Sequence, residues 1–101
     1  TLITEWEDGS KLCKALLESE ESIARAVQKL TEVAQFYGFE GWLINIENDL
    51  RTGEPEAMNS FLSQLSISMK GSNPNGMVLW YDAVTVDGKL LWQNELNDKN
   101  L

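Results

Sequence analysis

Asn45 and Glu47 stand two residues apart near the end of an apolar run, Gly41-Trp42-Leu43-Ile44-Asn45-Ile46-Glu47-Asn48. The β-branched and aromatic content of the run predicts a strand, and side chains on a strand alternate between its faces. Asn45 and Glu47 therefore share one face, while Trp42, Ile44 and Ile46 share the other. A carboxyl can give up and take back a proton, and an amide beside it can orient a polar group of a substrate. At the carboxyl end of a parallel strand, where open α/β sheets hold their ligands, such a pair makes a plausible acid/base site. A strand tip turning polar as it meets solvent produces the same pattern, so spacing alone leaves both readings open.

Other chemistries are narrowed by what the chain contains. It has no His, so a Ser-His-Asp or Cys-His site cannot be assembled within it, and a zinc site would rest on carboxylates. No motif calls for a metal or a cofactor. The single Cys13 excludes an internal disulfide and leans mildly toward a reducing compartment. Sixteen acidic against eight basic residues leave a net charge of -8, which argues against nucleic acid and against an anionic membrane surface. A neutral partner such as a sugar is not penalised by that charge. No apolar run approaches the roughly 18 residues of a membrane span.

The elements that must position the pair follow from periodicity and punctuation. Thr1 to Trp6 reads as a short strand, and its start at the first residue suggests a missing beginning. Asp8-Gly9-Ser10 is expected to break the chain and cap a short helix from Lys11 to about Glu18. A longer helix is expected from Ser22 to Tyr37, with Ser22 as N-cap, Gly38 as stop, and Ile23, Ala26, Val27, Leu30, Val33, Ala34 and Tyr37 on its apolar face. After the strand from Trp42 to Glu47, a third helix should run from Pro55 to about Met69, ahead of a loop from Gly71 to Gly76. Met77 to Asp82 reads as a strand with Met77, Leu79 and Tyr81 on one face and Val78, Trp80 and Asp82 on the other. Residues 84 to 92 read as a β-hairpin around an Asp87-Gly88 turn, and residues 94 to 101 as the start of another helix.

Strands separated by helices imply an α/β fold with parallel pairing through right-handed crossovers. Three parallel strands cannot close a barrel, and a (β/α)8 TIM barrel takes about 250 residues. The 101 residues thus make a single segment that is either a small open sheet or a slice of such a barrel. Several conspicuous side chains have ordinary structural readings. Trp42 and Trp80 point away from the pair and suit the core, Cys13 suits a buried helix position, and Glu18, Glu20 and Glu21 suit a solvated connection. Asn48-Asp49 reads as loop and capping chemistry. Asp82 falls on the face opposite Tyr81. Tyr81 reads equally as a core tyrosine, and Trp92 as a hairpin aromatic making cross-strand contacts.

Four motifs in order resemble one family: Leu-Ile-Thr-Glu-Trp at residues 2–6, the stretch from Phe39 to Asn48, Val-Leu-Trp-Tyr-Asp at 78–82, and Leu-Trp-Gln-Asn-Glu-Leu at 91–96. The family is the endo-β-N-acetylglucosaminidases of glycoside hydrolase family 85, in particular their cytosolic eukaryotic type. The resemblance spans almost the whole chain. It implies about the third to fifth strands of a (β/α)8 catalytic barrel that carries β-sandwich domains in the complete enzyme. It also implies cleavage between the two N-acetylglucosamines at the base of N-linked glycans, by a substrate-assisted route in which the sugar's own acetamide is the nucleophile.

On that resemblance Glu47 is the acid/base and Asn45 the group that positions the acetamide. A carboxyl shielded among apolar neighbours holds its proton to higher pH, which suits the first role. Tyr81 would hydrogen-bond the acetamide or the intermediate. Trp92 would lie at the acceptor-sugar side, and Glu5 and Trp6 would line the same mouth. The implied partner is an N-linked glycan or glycoprotein, the implied compartment the cytosol, and no cofactor is implied. Two other classes compete: a glycan-binding module without catalysis, and an α/β fragment with no activity of its own. A proton donor beside the amide disfavours the first. The second bears on this chain directly, since a three-strand piece lacks most of a substrate groove and is expected to be inactive alone.

Overall fold

Three apolar runs pair side by side, and helices carry the chain back between them. A computed structural model describes all residues, 1–101. The order is β1 (Leu2–Glu5), α1 (Trp6–Leu16), α2 (Glu20–Tyr37), β2 (Gly41–Glu47), α3 (Glu54–Ser72) and β3 (Met77–Tyr81). The sheet has the strand order β1-β2-β3, with both pairings parallel. Ile3 is in register with Asn45, which is in register with Tyr81, and Glu5 is in register with Glu47. The architecture is thus α/β with three parallel strands, as the alternation of patterns predicts.

The two faces of the sheet differ sharply. On one, Thr4, Trp42, Ile44 and Ile46 are buried together with Val27, Met58, Phe61, Leu65 and Met69 of the helices. Trp42 donates its indole N–H to the Leu30 carbonyl at 3.1 Å, so a buried aromatic keeps its polar handle satisfied. The contact between α2 and α3 also carries a hydrogen bond between the Thr31 and Ser68 hydroxyls, at 2.7 Å. On the other face Ile3, Leu43, Met77, Leu79 and Tyr81 are exposed. An apolar face left open to this extent is one that a further layer of protein ordinarily covers.

Several boundaries differ from expectation. Asp8-Gly9-Ser10 does not break the chain but lies inside α1, which starts at Trp6. A Cβ on Gly9 would meet Asn48 Oδ1 at 2.6 Å and the Thr4 carbonyl carbon at 2.9 Å, so this glycine serves close approach of helix to strand. In α2 the N-cap is Ser19, not Ser22. Ser22 stands at N3 and completes a reciprocal capping box, donating from its N–H to Ser19 Oγ at 3.1 Å and accepting from the Ser19 N–H at 3.0 Å. Gly38 ends α2 in the left-handed region, φ 77°, as expected.

Helix α3 runs past Met69 to Ser72 and shortens the expected loop. Val84 and Leu90 form an antiparallel bridge around the Asp87-Gly88 turn, flanked by bonds from the Thr85 N–H to the Lys89 carbonyl and from the Leu91 N–H to the Ala83 carbonyl. The pairing stays an isolated bridge rather than a two-stranded ribbon, and Thr85 also bridges to Asn100. Residues 94 to 101 form turns rather than a helix. Their side-chain amides compete with helical bonding: Asn97 Oδ1 accepts from the Lys99 N–H at 2.8 Å, and Asn97 Nδ2 donates to Gln93 Oε1 at 2.9 Å.

Candidate active site

The polar groups gather where the open face meets the carboxyl ends of the strands. Below them the face is apolar, with Ile3, Leu43, Met77 and Leu79. At the top, Asn45 and Glu47 of β2 stand on one face, with Glu5 of β1 beside Glu47 and Tyr81 of β3 beside Asn45. Neighbouring parallel strands lie about 4.8 Å apart, so each pair sits within side-chain reach. The parity inferred from the sequence therefore holds, and four of the six expected site residues share one face.

Asn45 Oδ1 is buried and has no hydrogen-bond partner, the one side-chain polar atom of the chain in that condition. A buried acceptor left unpaired costs about 1–3 kcal/mol. Glu47 is half-buried and takes no part in the two ion pairs of the chain, Glu7–Lys11 and Lys29–Glu32. Both groups of the pair thus keep bonding capacity to spare, Glu47 partly exposed and Asn45 through a buried acceptor.

Trp6 and Trp92 are exposed and follow the carboxyl ends of β1 and β3 in the chain. Trp6 follows Glu5 at the start of α1, 81% exposed, and is the one non-glycine residue with left-handed backbone, φ 56°. Trp92 is half exposed in the loop beyond β3. Its neighbours tie that loop down: the Leu91 N–H donates to the Ala83 carbonyl at 2.8 Å and the Gln93 N–H to the Asp82 carbonyl at 3.0 Å. Neither ring stacks on another; the ring pairs of the chain join Phe36, Tyr37, Phe39 and Trp42. Asp82 accepts from Trp80 Nε1 at 3.2 Å and from Asn100 Nδ2, so it anchors the loop on the face away from Tyr81.

A second polar cluster lies behind Glu47, on the helix side of the sheet. Thr4 Oγ1 donates to Asn48 Oδ1 at 2.6 Å, and Asn48 Nδ2 donates to the Asp49 carbonyl at 3.1 Å and to Cys13 Sγ at 3.6 Å. Asn48 is 4% exposed. Burial pushes the Cys13 thiol pKa up, with the hydrogen bonds to Thr4 and Asn48 pulling the other way. Beyond it, Asp49 Oδ1 accepts from the Leu90 N–H at 2.7 Å and the Leu50 N–H donates to the Gly88 carbonyl at 2.7 Å, joining this loop to the turn after β3. Asp49 does loop chemistry as expected but caps no helix, since the N-cap of α3 is Gly53 without a side-chain cap bond. Asn48 does not cap but ties β1, α1 and its own turn together, and pattern reading misses it because its partners Thr4 and Cys13 lie far away in sequence. No group of three or more His, Cys, Asp or Glu side chains is placed to hold a metal ion.

Sequence comparison places this geometry in a class. The profile of glycosyl hydrolase family 85 matches residues 1–101, and the chain belongs to that family. A cytosolic endo-β-N-acetylglucosaminidase of Danio rerio is similar to it at 51% identity over 100 residues. Similar proteins of the same name from Gallus gallus and Homo sapiens are 48% and 46% identical over 101 residues. Each of these alignments takes in 99% of this chain and 14% of the relative's length. No solved structure matches. The resemblance carried by the four motifs is thereby confirmed at the level of family.

Proposed function

We propose that this chain is the segment of an endo-β-N-acetylglucosaminidase that carries its acid/base and its acetamide-positioning group. The observation that carries the reading is the unpaired, buried Asn45 Oδ1 beside Glu47 on one rigid strand. In this reading the three strands are consecutive members of a (β/α)8 barrel, and their exposed apolar face is part of its filled interior. The names of the similar proteins support a substrate with linked N-acetylglucosamines, at the core of N-linked glycans, and a cytosolic setting. No helix of the chain is long and apolar enough to cross a membrane.

The chemistry follows from what each group can do. The acetamide oxygen of the sugar attacks its own anomeric carbon. The glycosidic C–O bond breaks, and Glu47 gives its proton to the departing sugar oxygen. The acetamide nitrogen becomes electron-poor as the oxazoline ring closes, and its N–H donates to Asn45 Oδ1, the acceptor that the fold leaves without a donor. Water then attacks the anomeric carbon, its proton passes to Glu47, and the ring opens with net retention. Tyr81, in register with Asn45, lies where its hydroxyl can steady the acetamide. Glu5 borders Glu47, and Trp6 and Trp92 offer aromatic faces for pyranose rings.

The test uses the full-length protein and a high-mannose glycopeptide. Glu47→Gln is expected to lower glycan release by about 10²–10⁴-fold, the range of a lost general acid. Asn45→Ala should lose hydrolysis yet regain turnover when given a preformed sugar oxazoline, since the ring is then already closed. Unchanged release by Glu47→Gln would remove the acid/base role. Tight glycan binding by a wild type that leaves the glycan whole would favour a binding module.

A further inference from the structure

We infer that Asn48 is a positioning residue that holds Glu47 in place, and that Thr4 and Gly9 exist in their present form to serve it; the inference rests on the acid/base reading of Glu47. The need for such a device follows from where the sheet ends. β3 pairs with β2 only as far as Asn45↔Tyr81, so Glu47 has no rung on that side. β1 pairs with it at Glu5↔Glu47, and that rung is the last. A proton donor at the tip of a ladder is held on one side and is free on its carboxyl flank. Acid catalysis demands more, because a misplacement of about 1 Å costs on the order of 100-fold in rate.

Asn48 supplies the missing constraint from behind. It follows Glu47 directly and its side chain turns to the core side of the strand. There Oδ1 accepts the Thr4 hydroxyl proton at 2.6 Å, which extends the β1–β2 pairing past its last backbone rung by a side-chain bond. The amide nitrogen closes a turn on the Asp49 carbonyl at 3.1 Å and reaches Cys13 Sγ of α1 at 3.6 Å. Three elements therefore converge on one amide. The fit is tight, since a single carbon added at Gly9 would fall 2.6 Å from Asn48 Oδ1. Every polar atom of the cluster is spent inward, in contrast to Asn45, whose buried Oδ1 is left without a partner. The division of labour is spatial: on the site side of β2 the side chains are free to meet substrate, and on the core side Asn48 fixes the backbone that carries them.

The experiment measures kcat, KM and the thermal midpoint in the full-length protein on a glycopeptide, for wild type, Asn48→Ala, Thr4→Val and Thr4→Ser. Thr4→Val removes the donor at nearly constant volume and decides the matter if Asn48→Ala does not fold. The expected result is a fall in kcat of at least about tenfold for Asn48→Ala and Thr4→Val, with KM within about twofold, and recovery to within about twofold of wild type in Thr4→Ser, which keeps the hydroxyl. Variants that melt earlier but keep wild-type kcat per folded molecule would overturn the positioning role, as would an effect confined to KM. A wild type that leaves the glycan whole would instead overturn the reading of Glu47 itself.

Discussion

Asn45 and Glu47 are alike in position and opposite in what the fold does for them. Both project from one face of β2, yet Glu47 is braced from behind while Asn45 keeps a buried acceptor unpaired. Replacing Asn45 by Leu would remove that unpaired atom. The expected outcome is a thermal midpoint equal to or above wild type, together with loss of glycan release, measured side by side in the full-length protein. Trp6 sets a similar conflict between backbone and side chain. A non-glycine residue in the left-handed region costs about 1–3 kcal/mol, and Trp6 bears that cost while 81% exposed. Trp6→Gly should therefore leave folding intact while raising KM for the glycan several-fold, read by calorimetry and steady-state kinetics. The parity of Asn45 and Glu47 was legible because alternation along a strand is local. The unpaired state of Asn45 and the strain at Trp6 were not, since both are set by atoms brought in from elsewhere in the chain.

At the scale of elements, α1 shows how tertiary contact overrides local preference. Glycine inside a helix normally costs about 1 kcal/mol relative to alanine. Gly9→Ala would gain that preference but drive a methyl against the backbone of Thr4 and the amide of Asn48. The net expectation is destabilisation by about 1–3 kcal/mol, seen as a lower midpoint in denaturant, with a fall in kcat through the displaced Asn48. The reading of Asp8-Gly9-Ser10 as a break failed for the same reason: the purpose of Gly9 lies at Thr4 and Asn48. In α2, two serines at cap spacing both fit the pattern, and only the reciprocal bonds between Ser19 and Ser22 decide which is the cap. The long helices and the three strands were legible because their apolar periodicity runs over many residues. The segment after residue 93 was not, because Asn97 and Asn100 bond locally and no apolar stripe opposes them.

At the scale of the molecule, one well-packed layer is joined to one open face. The helices cover Ile44, Ile46 and Phe61 completely, while Leu79 and Met77 on the far side are more than half exposed. A polypeptide of residues 1–101 alone is expected to release no glycan from a glycopeptide that the full-length protein cleaves, since both edges of its three-stranded sheet are open. Glycan release by that piece would contradict this. Cys13 probes the integrity of the packed layer. Its burial predicts no alkylation by iodoacetamide in the native full-length protein and complete alkylation in denaturant, read by peptide mass spectrometry. Because folding raises this thiol's pKa, its contribution to stability is intact below the ordinary thiol range, about 8.5, and is lost as pH climbs through the raised value.

The bond from the Leu90 N–H to Asp49 has a bearing on engineering. The loop after β2 and the turn after β3 share that bond and the one between Leu50 and Gly88, so each helps to fix the other. An attempt to transplant the Trp92 loop from a relative would import one half of a joint. Residues 49–50 and 88–92 form one cassette, and a chimaera that moves both together should keep these bonds, whereas one that splits them should not.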